Sequence, residues 1–169
     1  MTTERLMLRL VVAAAVVLVM AGCSPSAAPA DAKKLAEVLT GDAKGSAASN
    51  PVCKLFSAAE ASAYAGIKLA AGDNAAMGTG CQWANADGDG MTMVQVVPMK
   101  YADSPSGAPG FRELPNLGKR AYVAKDMGGW VSGAPQGEEF VIVVVAGPKA
   151  SEQTAIALMD ETLKRRQPR

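Results

Sequence analysis

The chain has 169 residues, a formal net charge of +1 at pH 7 and no histidine. This near-neutral balance argues against nucleic acid as a main partner. The lack of histidine removes the commonest general base and the commonest metal ligand. A chain of this length can bury one hydrophobic core, which predicts one domain.

The N-terminus has the pattern of a secretory signal. Arg5 and Arg9 precede an apolar run over residues 10–20, and the small residues Ala21 and Gly22 follow it. The run is short for a transmembrane helix, which needs ~20 apolar residues. An uncleaved membrane anchor and an ordinary signal peptide remain alternatives.

The stretch Met20-Ala21-Gly22-Cys23 resembles the lipobox of bacterial lipoproteins, with Met20 where that family usually has Leu. The resemblance implies that Cys23 is the first mature residue and that its thiol carries a diacylglyceryl group. The lipid membrane is then the partner of acylated Cys23, since two or three acyl chains anchor a protein stably. Ser24 implies the outer membrane, facing the periplasm, in a Gram-negative cell. In other bacteria the location would be the outer face of the cytoplasmic membrane.

The resemblance implies a signal peptide (1–22), and the composition of the rest predicts a lipidated tether (23–50) and a single domain (51–169). The tether is rich in Ala, Ser, Gly and Pro and could reach ~90 Å at most. Within it, Asp31 could cap a short helix with Leu35 and Leu39 on one side. Such a helix would be either transient or docked.

Three cysteines occur in the sequence. If Cys23 is acylated, Cys53 and Cys81 remain, and an even number in an oxidising compartment predicts a disulfide. Two free thiols are the alternative. A catalytic thiol is a weaker one, because no histidine is present to activate it.

The domain pattern begins with a capping box, Ser57 to Glu60, and a helix that ends at Gly66. A second helix follows Ser151, with apolar residues at helical spacing. Between the helices, strands are predicted at 67–69, 80–85, 91–99, 119–125, 130–133 and 139–146. The stretch 101–118 is predicted to be an irregular connection.

The strand at 139–146 is apolar on both faces, which predicts a central place in the sheet. The order of elements predicts an α+β fold: an antiparallel sheet of about five to six strands with an N-terminal and a C-terminal helix packed on it.

The domain also resembles an uncharacterised family of small secreted bacterial lipoproteins. The resemblance rests on a Cys before a capped Ala-rich helix, a Cys-x-Trp strand and Leu117-Gly118-x-x-Ala121. It covers about residues 51–166 and implies no known activity.

The residues Asn85, Asp87 and Asp89 match the opening of an EF-hand calcium loop. The twelfth position, however, is Val96 instead of a bidentate Glu. A hairpin turn is therefore the preferred interpretation, and calcium binding is the alternative.

Met91 and Met93 would share one face of a strand and could offer thioethers to Cu(I). Met is also a common filler of hydrophobic cores, which is the preferred interpretation.

The motifs of the common hydrolases are missing from the sequence, which predicts a protein that is not an enzyme and uses no cofactor. Trp83, Trp130 and Tyr101 are candidates for a ligand surface, although a role as core anchors is the preferred interpretation of the two tryptophans. The predicted function is a non-catalytic binding module for a small ligand or another envelope protein. A structural accessory of an envelope complex is the second hypothesis, and a hydrolase is a distant third.

Overall fold

A computed structural model describes residues 46–167. The predicted signal peptide, Cys23 and the short helix after Asp31 lie outside the described residues. Within residues 46–167, no helix is long and apolar enough to cross a membrane.

The described chain forms one antiparallel sheet of seven strands and two α-helices, which confirms an α+β fold. The predicted count of five to six strands is too low. The strand order is β1-β2-β3-β7-β6-β5-β4. The strands are β1 (Asp73–Ala75), β2 (Gly80–Ala84), β3 (Met91–Pro98), β4 (Arg112–Glu113), β5 (Tyr122–Asp126), β6 (Gly129–Gln136) and β7 (Glu139–Ala146). The helices are α1 (Ala58–Ala65) and α2 (Glu152–Arg165).

The differences from prediction lie at the sheet edges. The stretch 67–69 is not a strand, because the N–H of Leu69 donates to Ser62 Oγ in α1 (2.9 Å) instead of to a neighbouring strand. The first edge strand is β1, and β4 lies inside the stretch predicted to be irregular. Both edge strands have two or three residues, too few to give an alternating pattern.

The central position of β7 is confirmed, since it is the fourth strand of seven. Its side chains alternate between two buried clusters. Val141, Val143 and Val145 belong to one cluster, and Phe140 and Val144 belong to the other. We call the side of the sheet with Val141, Val143 and Val145 the helix face, and the side with Phe140 and Val144 the outer face.

The two helices cover the helix face. Ala61 and Ala65 of α1, together with Leu158 and Met159 of α2, pack there with the β7 valines and are fully buried. The small side chains of α1 allow a close approach between helix and sheet, and the Oγ1 of Thr92 in β3 donates to the Ala61 carbonyl (3.0 Å). This face holds the larger part of the core.

The caps of both helices follow from their sequences. Ser57 Oγ accepts from the N–H of Glu60, and Glu60 Oε2 accepts from the N–H of Ser57. Gly66 ends α1 in a left-handed conformation, φ 76°. Ser151 Oγ accepts from the N–H of Thr154 at the start of α2 (3.1 Å).

The connection from β3 to β4 covers part of the outer face. Phe111, at its end, stacks on Tyr122, and Tyr122 stacks on Phe140, with ring centroids 6.1 and 6.2 Å apart. The Arg120 guanidinium donates to the Ala102 carbonyl oxygen within this connection. A stretch predicted to be irregular is therefore held in place by side-chain packing.

Arg165 joins the two helices. Its Nη2 lies 2.8 Å from Glu60 Oε1, and its Nε lies 2.7 Å from Glu161 Oε1. The guanidinium carbon lies 4.4 Å from the ring centroid of Phe56. The hydrogen bond from Arg165, followed by the bonds from Ser57, lowers the pKa of Glu60 to about 2.

This low pKa predicts an acid-dependent loss of stability. Since the folded-state pKa of Glu60 lies below its ordinary value, its stabilisation is complete above about pH 4.5 and is lost as the pH falls towards 2. The Glu60 side chain is 45% exposed, so solvent screening limits the effect to below about 1 kcal/mol. Thermal melts should show wild type more stable than Glu60→Gln at neutral pH, with the difference vanishing towards pH 2.

The cause can be tested separately with Arg165→Met, which removes the guanidinium and keeps the carboxylate. In that background the pH dependence of the Glu60→Gln difference should become weaker. An unchanged difference would contradict the role of Arg165.

Candidate ligand surface

The structure does not bring the three aromatic candidates together. Trp83 is 1% exposed and packs edge-on against Phe56, with ring centroids 6.1 Å apart and planes at 90°. Trp83 is therefore a core anchor, which is the preferred interpretation of the sequence, and its burial contradicts its candidacy for a ligand surface. Its neighbour Gly72 approaches so closely that a Cβ there would lie 2.7 Å from the indole Nε1.

Trp130, in contrast, is half-buried near the start of β6. The Nζ of Lys125, on the paired strand β5, lies 5.4 Å from the centroid of its ring. On the chain next to β5, a Cβ at Gly110 would come within 3.2 Å of the indole. A cation and a glycine thus both lie close to the ring.

A shallow recess opens beside Trp130. It is lined by the residues of the β5–β6 turn, 125–130, and by Ala150 at the end of the segment after β7. Lys125 and Asp126 give the recess one positive and one negative group, and Met127 gives it an exposed apolar side chain. The arrangement suits an amphipathic surface with a mixed rim, such as that of another protein.

Met127 occupies a position for which its residue type is poorly suited. It lies at the tip of the two-residue turn with Gly128, and both have positive φ, 51° and 73°. Such turns favour Asn-Gly, because Asn and Gly tolerate the left-handed region, whereas most other residues are disfavoured there by about 1–2 kcal/mol. Met127 is 58% exposed, so the packing of its side chain offsets little of this unfavourable free energy.

Replacing Met127 with Asn should therefore stabilise the fold by about 1 kcal/mol, since Asn tolerates the left-handed conformation. The measurement is the midpoint of urea unfolding. Met127→Ala is the control, because it removes the side chain and keeps the disfavoured backbone. A gain for Met127→Ala equal to that for Met127→Asn would assign the effect to the exposed side chain instead.

Tyr101 lies elsewhere, at the end of a short 3-10 turn that follows β3. Its side chain is 64% exposed, and the Nζ of Lys100 lies 4.8 Å from its ring centroid. Trp130 pairs with Val145, near the end of β7, whereas β3 ends opposite Glu139, the first residue of β7. Tyr101 and Trp130 therefore belong to opposite ends of the sheet.

The candidate calcium loop is a hairpin turn between β2 and β3. The Asn85 side chain closes it: its Nδ2 donates to Asp89, and its Oδ1 accepts from the N–H of Gly90 (2.9 Å). The amide oxygen that an EF-hand would offer to calcium is thus already bonded. In residues 46–167, no group of three or more Cys, Asp or Glu residues is arranged to hold a metal ion.

The methionine pair fills the core of the outer face. Met93 is buried in its cluster, and Met91 and Met99 pack against that cluster. This agrees with the preferred interpretation of the sequence, in which these methionines fill the hydrophobic core.

The disulfide prediction is confirmed. Cys53 and Cys81 are bonded, with an S–S distance of 2.05 Å. Cys81 lies on the helix face, in the same strand and on the same side as Trp83. The bridge therefore joins the chain before α1 to the sheet beneath that helix.

Met127 and Met77 are the exposed residues that the sequence analysis missed. Met77 is 55% exposed in the connection from β1 to β2, and its φ of 56° is also left-handed. Each precedes a glycine, which marks a turn but does not reveal the conformation of the residue before it.

Comparison with known proteins adds no assignment. A scan against protein-family models, a search of curated proteins and a search of solved structures each found no match to this chain.

Proposed function

We propose that the chain is a lipid-anchored, non-catalytic binding module of the cell envelope. The observation that carries the proposal is the Cys53–Cys81 bridge. Such bridges persist in oxidising compartments, which supports export. The bridge also uses two of the three cysteines and leaves Cys23, next to the apolar N-terminal run, for acylation.

Binding would take place beside Trp130. The recess there is shallow, whereas small-molecule sites bury most of their ligand. A half-buried tryptophan beside an exposed methionine resembles the anchor residues of protein interfaces more closely. We therefore favour a protein partner in the envelope over a small ligand.

The anchoring part of the proposal predicts that Cys23→Ser moves the protein from the membrane fraction to the soluble fraction. Because the thioether to the lipid needs the Cys23 sulfur, labelling with radioactive palmitate should also be lost. Cys53→Ala with Cys81→Ala is the control and should keep the label. Palmitate labelling that survives Cys23→Ser would contradict the proposal.

The binding part is tested by cross-linking from the recess. A photoreactive amino acid in place of Met127 should give a discrete adduct in cells, and the same group in place of Asp87, in the β2–β3 turn, should not. Native mass spectrometry of the extracted protein tests the small-ligand alternative. A stoichiometric added mass below that of a protein would favour a small ligand.

A further inference from the structure

One end of the sheet combines three features: the place where the chain enters the fold and two exposed apolar side chains. Asn50 Nδ2 donates to the Gly80 carbonyl (2.9 Å), so the chain enters beside the start of β2. Asn50 itself is buried, although the sequence assigned it to the tether. We call this end of the sheet the entry end.

Met77 and Tyr101 both belong to the entry end. The N–H of Val96 in β3 donates to the Thr79 carbonyl (2.9 Å), which places the turn containing Met77 beside the last residues of β3. Tyr101 follows the end of β3 by three residues. In residues 46–167 the exposed large hydrophobic residues are Met77, Tyr101 and Met127, and two of the three are therefore at the entry end.

The backbone around Met77 does not favour an apolar side chain. Ala76, Met77 and Gly78 have φ values of 50°, 56° and 80°, three left-handed residues in succession. Residues with a Cβ are disfavoured there, and the exposed Met77 side chain recovers little by packing. The fold gains nothing evident from a methionine at this position, which favours a contact partner outside the fold.

We propose that the entry end docks on the surface of the bilayer that holds the acylated Cys23. Met77 enters the boundary between headgroups and acyl chains, and the Tyr101 ring lies at headgroup depth, where amphipathic aromatic rings concentrate. Lys100, whose Nζ lies 4.8 Å from that ring centroid, directs its charge back to water.

The inference rests on the proposed anchoring. A contact of two side chains is weak alone, but the anchor makes it intramolecular and raises its effective concentration. The tether enters the domain at this same end, so docking needs no reversal of the domain. Because the contact is mainly apolar, a neutral phosphatidylcholine bilayer suffices.

The experiment uses the lipidated mature chain in phosphatidylcholine vesicles, with or without bromine on the acyl chains. Tyr101→Trp introduces a reporter indole, and Trp130→Phe removes the native exposed one. Trp83 remains as a buried reference. Since interfacial groups lie ~5–10 Å deep, emission from the reporter should fall about two-fold in brominated vesicles.

A matched pair of variants separates docking from a general effect of surface polarity. Met77→Asn should restore most of the lost emission. Met127→Asn changes an equally exposed, equally left-handed methionine at the other end of the sheet, and it should leave the quenching unchanged. Both variants place Asn, which tolerates positive φ, where a methionine is disfavoured. Similar increases in melting temperature would therefore show that neither variant is misfolded.

Flotation of the vesicles separates the two proposals. Protein that floats with the vesicles but shows equal emission in both lipids would overturn docking and leave the anchoring intact. The same result would follow if the entry end binds an envelope protein instead. Protein that does not float would contradict both proposals. Equal effects of Met77→Asn and Met127→Asn would also overturn docking.

Discussion

Replacing Trp83 with alanine is expected to lower the free energy of unfolding by about 3–5 kcal/mol, the usual cost of deleting a buried aromatic side chain. Trp83 is fully buried beneath α1 and contacts Phe56 edge-on. A Cβ at Gly72 would lie 2.7 Å from the indole Nε1 and 2.8 Å from the Cys81 sulfur, so the surroundings of the ring are tightly packed and little can move to fill the cavity. Urea unfolding followed by circular dichroism measures the loss.

The same substitution at Trp130 is the matched control. That ring is half exposed, so its removal should cost clearly less than the removal of Trp83. If Trp83→Ala were no more destabilising than Trp130→Ala, the assignment of Trp83 as the core anchor would be wrong.

Removing the disulfide is expected to have an effect of similar size. The cysteines are 28 residues apart, and closing a loop of that length stabilises a fold by about 3.5 kcal/mol in the chain-entropy model. The double variant Cys53→Ala with Cys81→Ala should therefore unfold at a much lower urea concentration. Alanine is the appropriate replacement, since Cys81 is fully buried and a serine would place a hydroxyl in the core.

A reducing agent provides an independent test of the bridge. It should shift the unfolding midpoint of wild type towards that of the double variant, and it should have no effect on the double variant itself. If the wild-type unfolding midpoint were the same with and without the reductant, the predicted contribution of the disulfide to stability would be wrong.

The elements that the sequence predicts well are those with strong local signals. The strand from Glu139 to Ala146 is apolar at every position after Glu139, so both of its faces are apolar. Burial of both faces requires a central place in the sheet. The turn between Ala84 and Met91 carries Asp-Gly pairs, which identify a hairpin. A capping box marks the start of α1 within one residue.

The burial of Trp83, which is the preferred interpretation of the sequence, has a second argument in its favour. In a strand, residues two apart point to the same side, so Cys81 and Trp83 share a face. Cys81 pairs with Cys53, which lies just before an amphipathic helix, and so that helix must cover the same face. The prediction treated the disulfide and the tryptophan separately, so it placed Trp83 in the core without saying which face of the sheet it lies on.

Other features depend on information that a single sequence does not carry. The edge strands β1 and β4 exist because longer neighbours offer them hydrogen bonds, and their own residues, Asp73–Ala75 and Arg112–Glu113, have little strand preference. The left-handed conformations of Met77 and Met127 arise from the geometry of the turns. Both run against the residue preference, so reasoning from propensity cannot find them.

The position of the disulfide has a mechanical consequence. A pull transmitted along the N-terminal segment reaches Cys53 and passes through the sulfur atoms directly to Cys81 in β2. Helix α1 and strand β1 lie within the closed loop and are bypassed by that force. The load falls on the ladder between β2 and β3, whose hydrogen bonds extend over five residue pairs. A domain held by the tether would thus bear tension through its sheet, while the helix that covers Trp83 carries no load.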